Sequence, residues 1–330
     1  MFPLRAVFSQ RKLMFKLRLF SIPIVILLLV ASCSSPASGG SSPATDSTAA
    51  KVAAVTPLTP SSLASSGANS TTLLSSGAVD SLLASLLGDP ATPGQWHAIQ
   101  TDLLDALSVS STSTATALRN AQTSFYSKLN SFSTSKTASL TATIPAGSLG
   151  SSVNLNSGSL DFTINAASFD GSPINSSMSN LKTLSGSFLE TFDAGLASGF
   201  PSGPIKDAKL RINFGTDASA TADRLNVFVS NTGNLSVTAN GKLSASLALS
   251  VNEGGSGGKI IVNADSQFTN TQTYALPATN SLTNIINAFL PSSSPVTVTV
   301  SVYKDDGTLT WSNTYASYSA FTTAFPSLAK

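Results

Sequence analysis

Apolar residues in the first third of the chain recur with the period of a helix. Val79, Leu82, Leu83, Leu86 and Leu87 fall at i, i+3, i+4, i+7 and i+8, and Gly88-Asp89-Pro90 ends the run. A second helix is predicted from Thr92-Pro93-Gly94-Gln95, where Thr92 can cap, Pro93 suits the first turn and Gln95 can close a capping box. Its stripe is Trp96, Ile99, Leu103 and Leu107. A third stripe, Leu118, Ala121, Phe125, Leu129 and Phe132, predicts a helix from about Thr114 to Phe132. Over so few turns these stripes read as buried packing faces rather than as coiled-coil or partner-binding seams.

Beyond Lys136 the period becomes two. Ala138, Leu140, Ala142 and Ile144 alternate with Thr137, Ser139, Thr141 and Thr143; Leu160, Phe162 and Ile164 alternate with Asp161, Thr163 and Asn165; Leu210, Ile212 and Phe214 alternate with Lys209, Arg211 and Asn213. Clean alternation predicts antiparallel strands with one wet face. Met178, Leu181, Leu184, Phe188 and Phe192 are read as a helix interrupted by Gly186. A hairpin is predicted at Ala239-Asn240-Gly241, because a two-residue Asn240-Gly241 loop would put Val237 opposite Ser244, whereas three residues pair Val237 with Leu243 and Leu235 with Ala245. A two-residue Asp306-Gly307 loop pairs Val302 with Trp311. Gly254-Gly255-Ser256-Gly257-Gly258 reads as a flexible connection into a strand from Lys259 to Ala264, without the strand-to-helix setting of a phosphate loop. Leu282, Ile285, Ile286 and Phe289 predict a short helix before Pro291, and Tyr318, Phe321 and Phe325 a terminal one.

Before all of this lies a basic stretch with Arg5, Arg11, Lys12, Lys16 and Arg18, followed by an uncharged apolar run to Leu29 and then Val30-Ala31-Ser32-Cys33. From Leu19 to Ala31 a helix would reach roughly 20 Å, short of a ~30 Å hydrocarbon core, so the order is that of an export signal rather than a membrane span. Val30 to Cys33 resembles the lipobox of bacterial lipoproteins processed by the lipoprotein signal peptidase: an aliphatic residue, two small ones and a cysteine. The resemblance implies cleavage before Cys33, diacylglyceryl transfer to its thiol, and acylation of the new amino group. Met14 is a second possible start that keeps Lys16, Arg18 and the whole apolar run. Ser34, next to the lipid-bearing cysteine, fits sorting to an outer membrane in the lipoprotein pattern.

Five of the 18 Lys and Arg residues precede Cys33, leaving 13 basic against 16 acidic residues and a net charge of −3. Nucleic-acid binding loses its electrostatic basis. Charged residues are 10% of the chain, and no second cysteine exists for a disulfide. The sequence therefore divides into a signal at 1–32, a Ser/Pro/Gly-rich flexible tether at 33–60, a helical region at 61–135 and a β-rich region at 136–330. The expected class is α+β: an N-terminal helical segment followed by a largely antiparallel sheet with added short helices.

Candidate chemistry is sparse. The single histidine, His97, has Asp102 and Asp105 on its own predicted helix, and no G-x-S-x-G elbow accompanies it. A zinc site lacks ligands once Cys33 is acylated. Glu190 and Glu253 are the only glutamates. Asp305 and Asp306 suit a turn first and a weak calcium site second. Tyr303, Trp311, Tyr315 and Tyr318 suit either sugar stacking or core. No metal, cofactor or catalytic residue is expected, and Cys33 is the one assigned site, for lipidation. The expected role is a lipid-anchored cell-envelope protein with a structural or interaction function and an undefined protein, glycan or lipid partner. A carrier of a lipid or other apolar ligand is the alternative, since one continuous apolar sheet face fits a core or a cavity equally well.

Overall fold

The alternating segments form strands that are longer than their cleanest stretches. In the computed structural model of the chain the described residues are 54–87, 95–130, 137–168, 182–197, 203–216, 225–229, 234–275 and 296–328. The strands are β1 (Thr137–Ile144), β2 (Gly147–Ser148), β3 (Val153–Ser168), β4 (Lys182–Leu196), β5 (Ile205–Thr216), β6 (Leu225–Val229), β7 (Asn234–Glu253), β8 (Ser256–Ala275), β9 (Val296–Tyr303) and β10 (Leu309–Tyr315). They make one sheet in the order β1-β3-β4-β5-β7-β8-β9-β10. Every pairing among them is antiparallel. β5 and β6 share one lane: both pair with β4 on one side and β7 on the other. Each lane thus lies beside its neighbour in the chain, an up-and-down meander.

Alternation gives this sheet two unlike faces. On one, Leu243, Ala245, Leu247, Leu249 and Val251 of β7 are buried with Ile260 of β8, Val298, Val300 and Val302 of β9, Ile212 of β5 and Phe192 of β4. The other carries Ser244, Ser246, Ala248 and Ser250 of β7, Lys259 and Ile261 of β8 and Ser301 of β9. Among the described residues four helices cover the apolar face: α1 (Ser76–Leu87), α2 (Gln95–Ser108), α3 (Ser113–Asn130) and α4 (Tyr318–Ala324). Val79, Leu82, Leu83 and Leu86, then Ile99 and Leu103, then Leu118 and Ala121 join the same core as the strands. The Arg119 guanidinium on α3 donates to the carbonyls of Ala106 (2.8 Å) and Ser110 (2.6 Å), satisfying the end of α2 with a positive group.

The expected α+β class is therefore corrected. The chain is mostly antiparallel sheet with a few short helices, and these make no helical segment of their own. Each helix has a single apolar stripe, and the large apolar surface that can bury it is the sheet.

Four local expectations also change. The stretch read as a helix around Leu184, Phe188 and Phe192 is β4. A spacing of four suits either period, and Ser185, Ser187 and Thr191 between them complete the alternation of two; Met178 and Leu181 lie outside the described residues. The hairpin at Ala239-Asn240-Gly241 does not form. β7 runs straight from Asn234 to Glu253, with Val237 opposite Val227 and Gln272. Leu235, Val237, Leu243 and Leu249 share odd parity, so an uninterrupted strand keeps them on one face without a loop. The flexible glycine connection is a tight turn: Glu253 pairs with Ser256 across Gly254 and Gly255, whose φ values of 60° and 87° are both left-handed. In the last hairpin Val302 does face Trp311, but the Lys304 N–H donates to the Thr308 carbonyl (2.9 Å) across three residues, and a bulge between Leu309 and Trp311 restores the register. The helix expected at Leu282–Phe289 lies outside the described residues. The terminal helix forms as α4, with the Ser317 hydroxyl accepting from Ala320 N–H (3.1 Å).

Candidate functional site

Residues 55–67 lie as a strap across the polar face of the sheet, with one 3₁₀ turn at Pro60–Ser62. Its fastening is almost entirely main chain to side chain. Val55 N–H donates to the Ser244 hydroxyl (3.0 Å) and Leu58 N–H to the Ser246 hydroxyl (2.9 Å). Ala64 N–H donates to Asp207 (2.9 Å), and the Ser66 and Gly67 N–H groups to Asp305 (2.9 and 2.8 Å). In the other direction, Arg211 donates to the Thr56 carbonyl (3.3 Å), Lys259 to the Pro60 carbonyl (3.0 Å), Lys209 to the Ser62 carbonyl, and Asn252 to the Ser66 carbonyl (3.0 Å). Two apolar strap side chains are buried against the sheet: Leu58 and Leu63 cluster with Ala248 and Ile261, and Tyr303 packs against them. Beyond the strap, Asn69 N–H donates to Gly255 (2.9 Å) and Ser70 bridges Ser256, which takes the chain past the β7–β8 turn to Leu73 in the helix-covered core. Val55 to Pro60, read from sequence as the end of the tether, belong to this strap.

The charges under the strap come from alternation in β5, where Asp207, Lys209 and Arg211 occupy successive polar-face positions. Asp193 of β4 pairs with Arg211 at 2.7 Å. Lys259 of β8 is 5% exposed, and its ammonium donates to the carbonyls of Pro60 (3.0 Å) and Asp305 (3.1 Å). Partial burial pushes the Asp305 carboxyl up, but hydrogen bonds from the Ser66 and Gly67 N–H groups and the Ser65 and Ser66 hydroxyls outweigh it and hold its pKa below the ordinary value. Asp306, fully exposed, is lowered mainly by the Thr308 N–H (2.8 Å). The adjacent pair therefore does turn and strap chemistry: Asp305 spends both oxygens on strap donors and Asp306 caps its own loop.

The remaining candidates are dispersed. His97 lies within 3.4 Å of Thr101 on α2. Asp102 does not face it as an orienter; 8% exposed, it accepts from the Ser152 N–H and the Val153 N–H (3.1 Å), fixing α2 to the start of β3. The Asp105 carbonyl accepts from Val109 and Ser110 N–H at the end of α2. Glu253 accepts from the Ser85 hydroxyl (2.7 Å), tying α1 to β7, and Glu190 pairs in register with Leu160 and Phe214. The aromatic group is split between the two faces. Tyr303 borders the strap, Trp311 packs on the main core, and Tyr315 is buried edge-on to Phe321 (5.9 Å) and Phe325 (5.6 Å); Tyr318 starts α4. Cys33 lies outside the described residues. Among the described residues no group of three His, Cys, Asp or Glu side chains is placed to hold a metal, and no helix is long and apolar enough to cross a membrane.

Comparison with protein-family models, with curated proteins and with solved structures returns no match. Geometry alone therefore speaks for this face: it presents donors and acceptors to an extended main chain and takes two aliphatic side chains from it. Sequence reasoning missed it, although Asp207, Lys209 and Arg211 on one side of a strand, in a chain with 10% charged residues, were its signal.

Proposed function

We propose that this is a bacterial cell-envelope lipoprotein, anchored through a lipid on Cys33, whose folded part has a structural or interaction role without catalysis. The observation that carries this reading is the way the chain leaves the tether. Directly after the Ser/Pro/Gly-rich stretch, the strap grips β5, β7, β8 and the β9–β10 turn at once, so a pull on the N-terminus is spread over the middle of the sheet. The ionisable groups support the same reading, since Asp80, Asp102, Asp207, Glu253 and Asp305 each hold one part of the fold to another. Ser34 to Ala53, the rest of the stretch read from the sequence as a tether, lie outside the described residues. In a Gram-negative cell the outer membrane is favoured over the inner, with the folded part in the periplasm or at the surface.

Fractionation of a bacterial host expressing the chain and its Cys33→Ser variant tests the anchor. The expected result is labelled-palmitate incorporation and membrane association for the first, and neither for the second. A variant that stays with the membranes would refute the reading.

A carrier of an apolar ligand is the second reading, favoured by one observation. The sequence of β7 is apolar at odd positions 235 and 237 as well as from Leu243 to Val251, an alternation that suits one apolar face longer than the helix-covered core. Native mass spectrometry of the exported protein decides: a reproducible lipid mass supports the carrier, and a bare polypeptide mass removes it.

A further inference from the structure

We propose that the slot beneath the strap is a binding site for an extended polypeptide, and that its occupant in trans is the strap of a second copy of this chain, exchanged for its own. The inference rests on the strap and not on the lipid anchor. Ser244, Ser246, Asp207 and Asp305 accept strap N–H groups, while Arg211, Lys209, Lys259 and Asn252 donate to strap carbonyls. These are main-chain groups that any extended segment offers. Selectivity comes from Leu58 and Leu63, five residues apart, seated on Ala248 and Ile261. A second copy supplies a segment with that spacing and the same order of donors and acceptors.

The strap can leave without breaking the sheet. It lies on the face of the strands, and main-chain pairing begins only beyond it, where Asn69 and Ser70, which would move with it, meet Gly255, Ser256 and Gly257. Between Ser70 and the buried Leu73 lie Thr71 and Thr72, a two-residue hinge with Thr72 exposed. On exchange every lost contact is regained on the partner, so the remaining cost is that of bringing two copies together.

Cysteine pairs read this directly, in the full chain carrying Cys33→Ser so that no native thiol remains. Two differently tagged chains, one with Leu58→Cys and one with Ala248→Cys, are co-expressed with export to an oxidising compartment, where disulfides form. The expected result is a mixed-disulfide dimer on non-reducing gels, several-fold more abundant than for Leu58→Cys with Val109→Cys, an exposed position on the other side of the sheet. A chain bearing both Leu58→Cys and Ala248→Cys checks that the pair can close; if it does not, Leu63→Cys with Ile261→Cys takes its place. Amide exchange in β7 and β8 verifies that each variant is folded. Mixed dimer no more abundant than in the Val109 control, with a pair that closes within one chain or with both pairs tried, overturns the proposal.

Discussion

Asp305 and Ser66 are separated by 239 residues and joined by a 2.9 Å hydrogen bond from the Ser66 N–H to the Asp305 carboxylate. With the Gly67 N–H and the Ser65 hydroxyl on its second oxygen, the same carboxylate closes the far end of the strap onto the β9–β10 turn.

That end of the strap should be sensitive to acid. Folding lowers the Asp305 pKa, so its contribution is complete above the ordinary aspartate value of about 3.9 and is lost as pH falls through the folded value. Protection of the Ser66 and Gly67 amides, measured against their intrinsic exchange rates, is expected to fall below about pH 4 while β7 and β8 stay protected. Asp305→Ala should give about tenfold faster exchange at these two amides already at pH 7, since hydrogen bonds to a charged acceptor are lost. Unchanged exchange would mean that Asp305 does not hold the strap.

Asp102 is expected to matter for stability and not for any reaction. Asp102→Ala leaves the buried Ser152 and Val153 N–H groups without their acceptor, at a cost of about 2 to 4 kcal/mol. His97→Ala should cost under about 1 kcal/mol, as a partly exposed side chain. Urea denaturation midpoints of the two variants separate these roles, and equal midpoints would contradict the assignment.

The β7–β8 turn offers a contrast between neighbouring glycines. At Gly257 (φ 154°) a Cβ would be driven into the Val251 carbonyl, and Gly257→Ala should cost about 3 kcal/mol or more through forced backbone movement. At Gly254 (φ 60°) a Cβ meets nothing, and Gly254→Ala should cost only the left-handed penalty of about 1 kcal/mol. Thermal unfolding of both variants checks the order.

In the aromatic cluster the Tyr315 hydroxyl is buried with no hydrogen-bond partner. Tyr315→Phe is expected to leave stability unchanged or raise it by about 1 kcal/mol, because the ring contacts survive and the unpaired group is gone. Phe325→Ala, at a site with 0% exposure and rings at 5.0 and 5.6 Å, should cost about 3 to 5 kcal/mol. A clearly destabilised Tyr315→Phe would show that the hydroxyl has a partner after all.

Strands were legible in the sequence where polar and apolar residues alternate without interruption, as in Thr137–Ile144 and around Leu210–Phe214, and the helices where stripes are dense, as in Val79–Leu87. Leu184, Phe188 and Phe192 misled because a spacing of four belongs to both periods. Asn240-Gly241 misled because a good turn dipeptide is also tolerated inside a long strand held by neighbours on both sides. The class failed for a different reason: counting helices and strands does not reveal that the helices depend on the sheet for their burial. The strap left almost no trace, since hydrogen bonds from side chains to a main chain impose no periodicity on the segment they hold, and only Leu58 and Leu63 marked it.

The meander has a consequence for the order in which the molecule is made. A chain in which each lane pairs with its predecessor can add strands as they are synthesised, with little waiting for distant partners. The strap reverses that order. Residues 55–67 are among the first to emerge, yet their last two fasteners are the carboxylate oxygens of Asp305, which arrive with the final hairpin. The earliest segment of the folded part is thus the last to be secured, and a truncated chain lacking the β9–β10 hairpin would keep much of its sheet but carry an N-terminal strap with its far end unlatched.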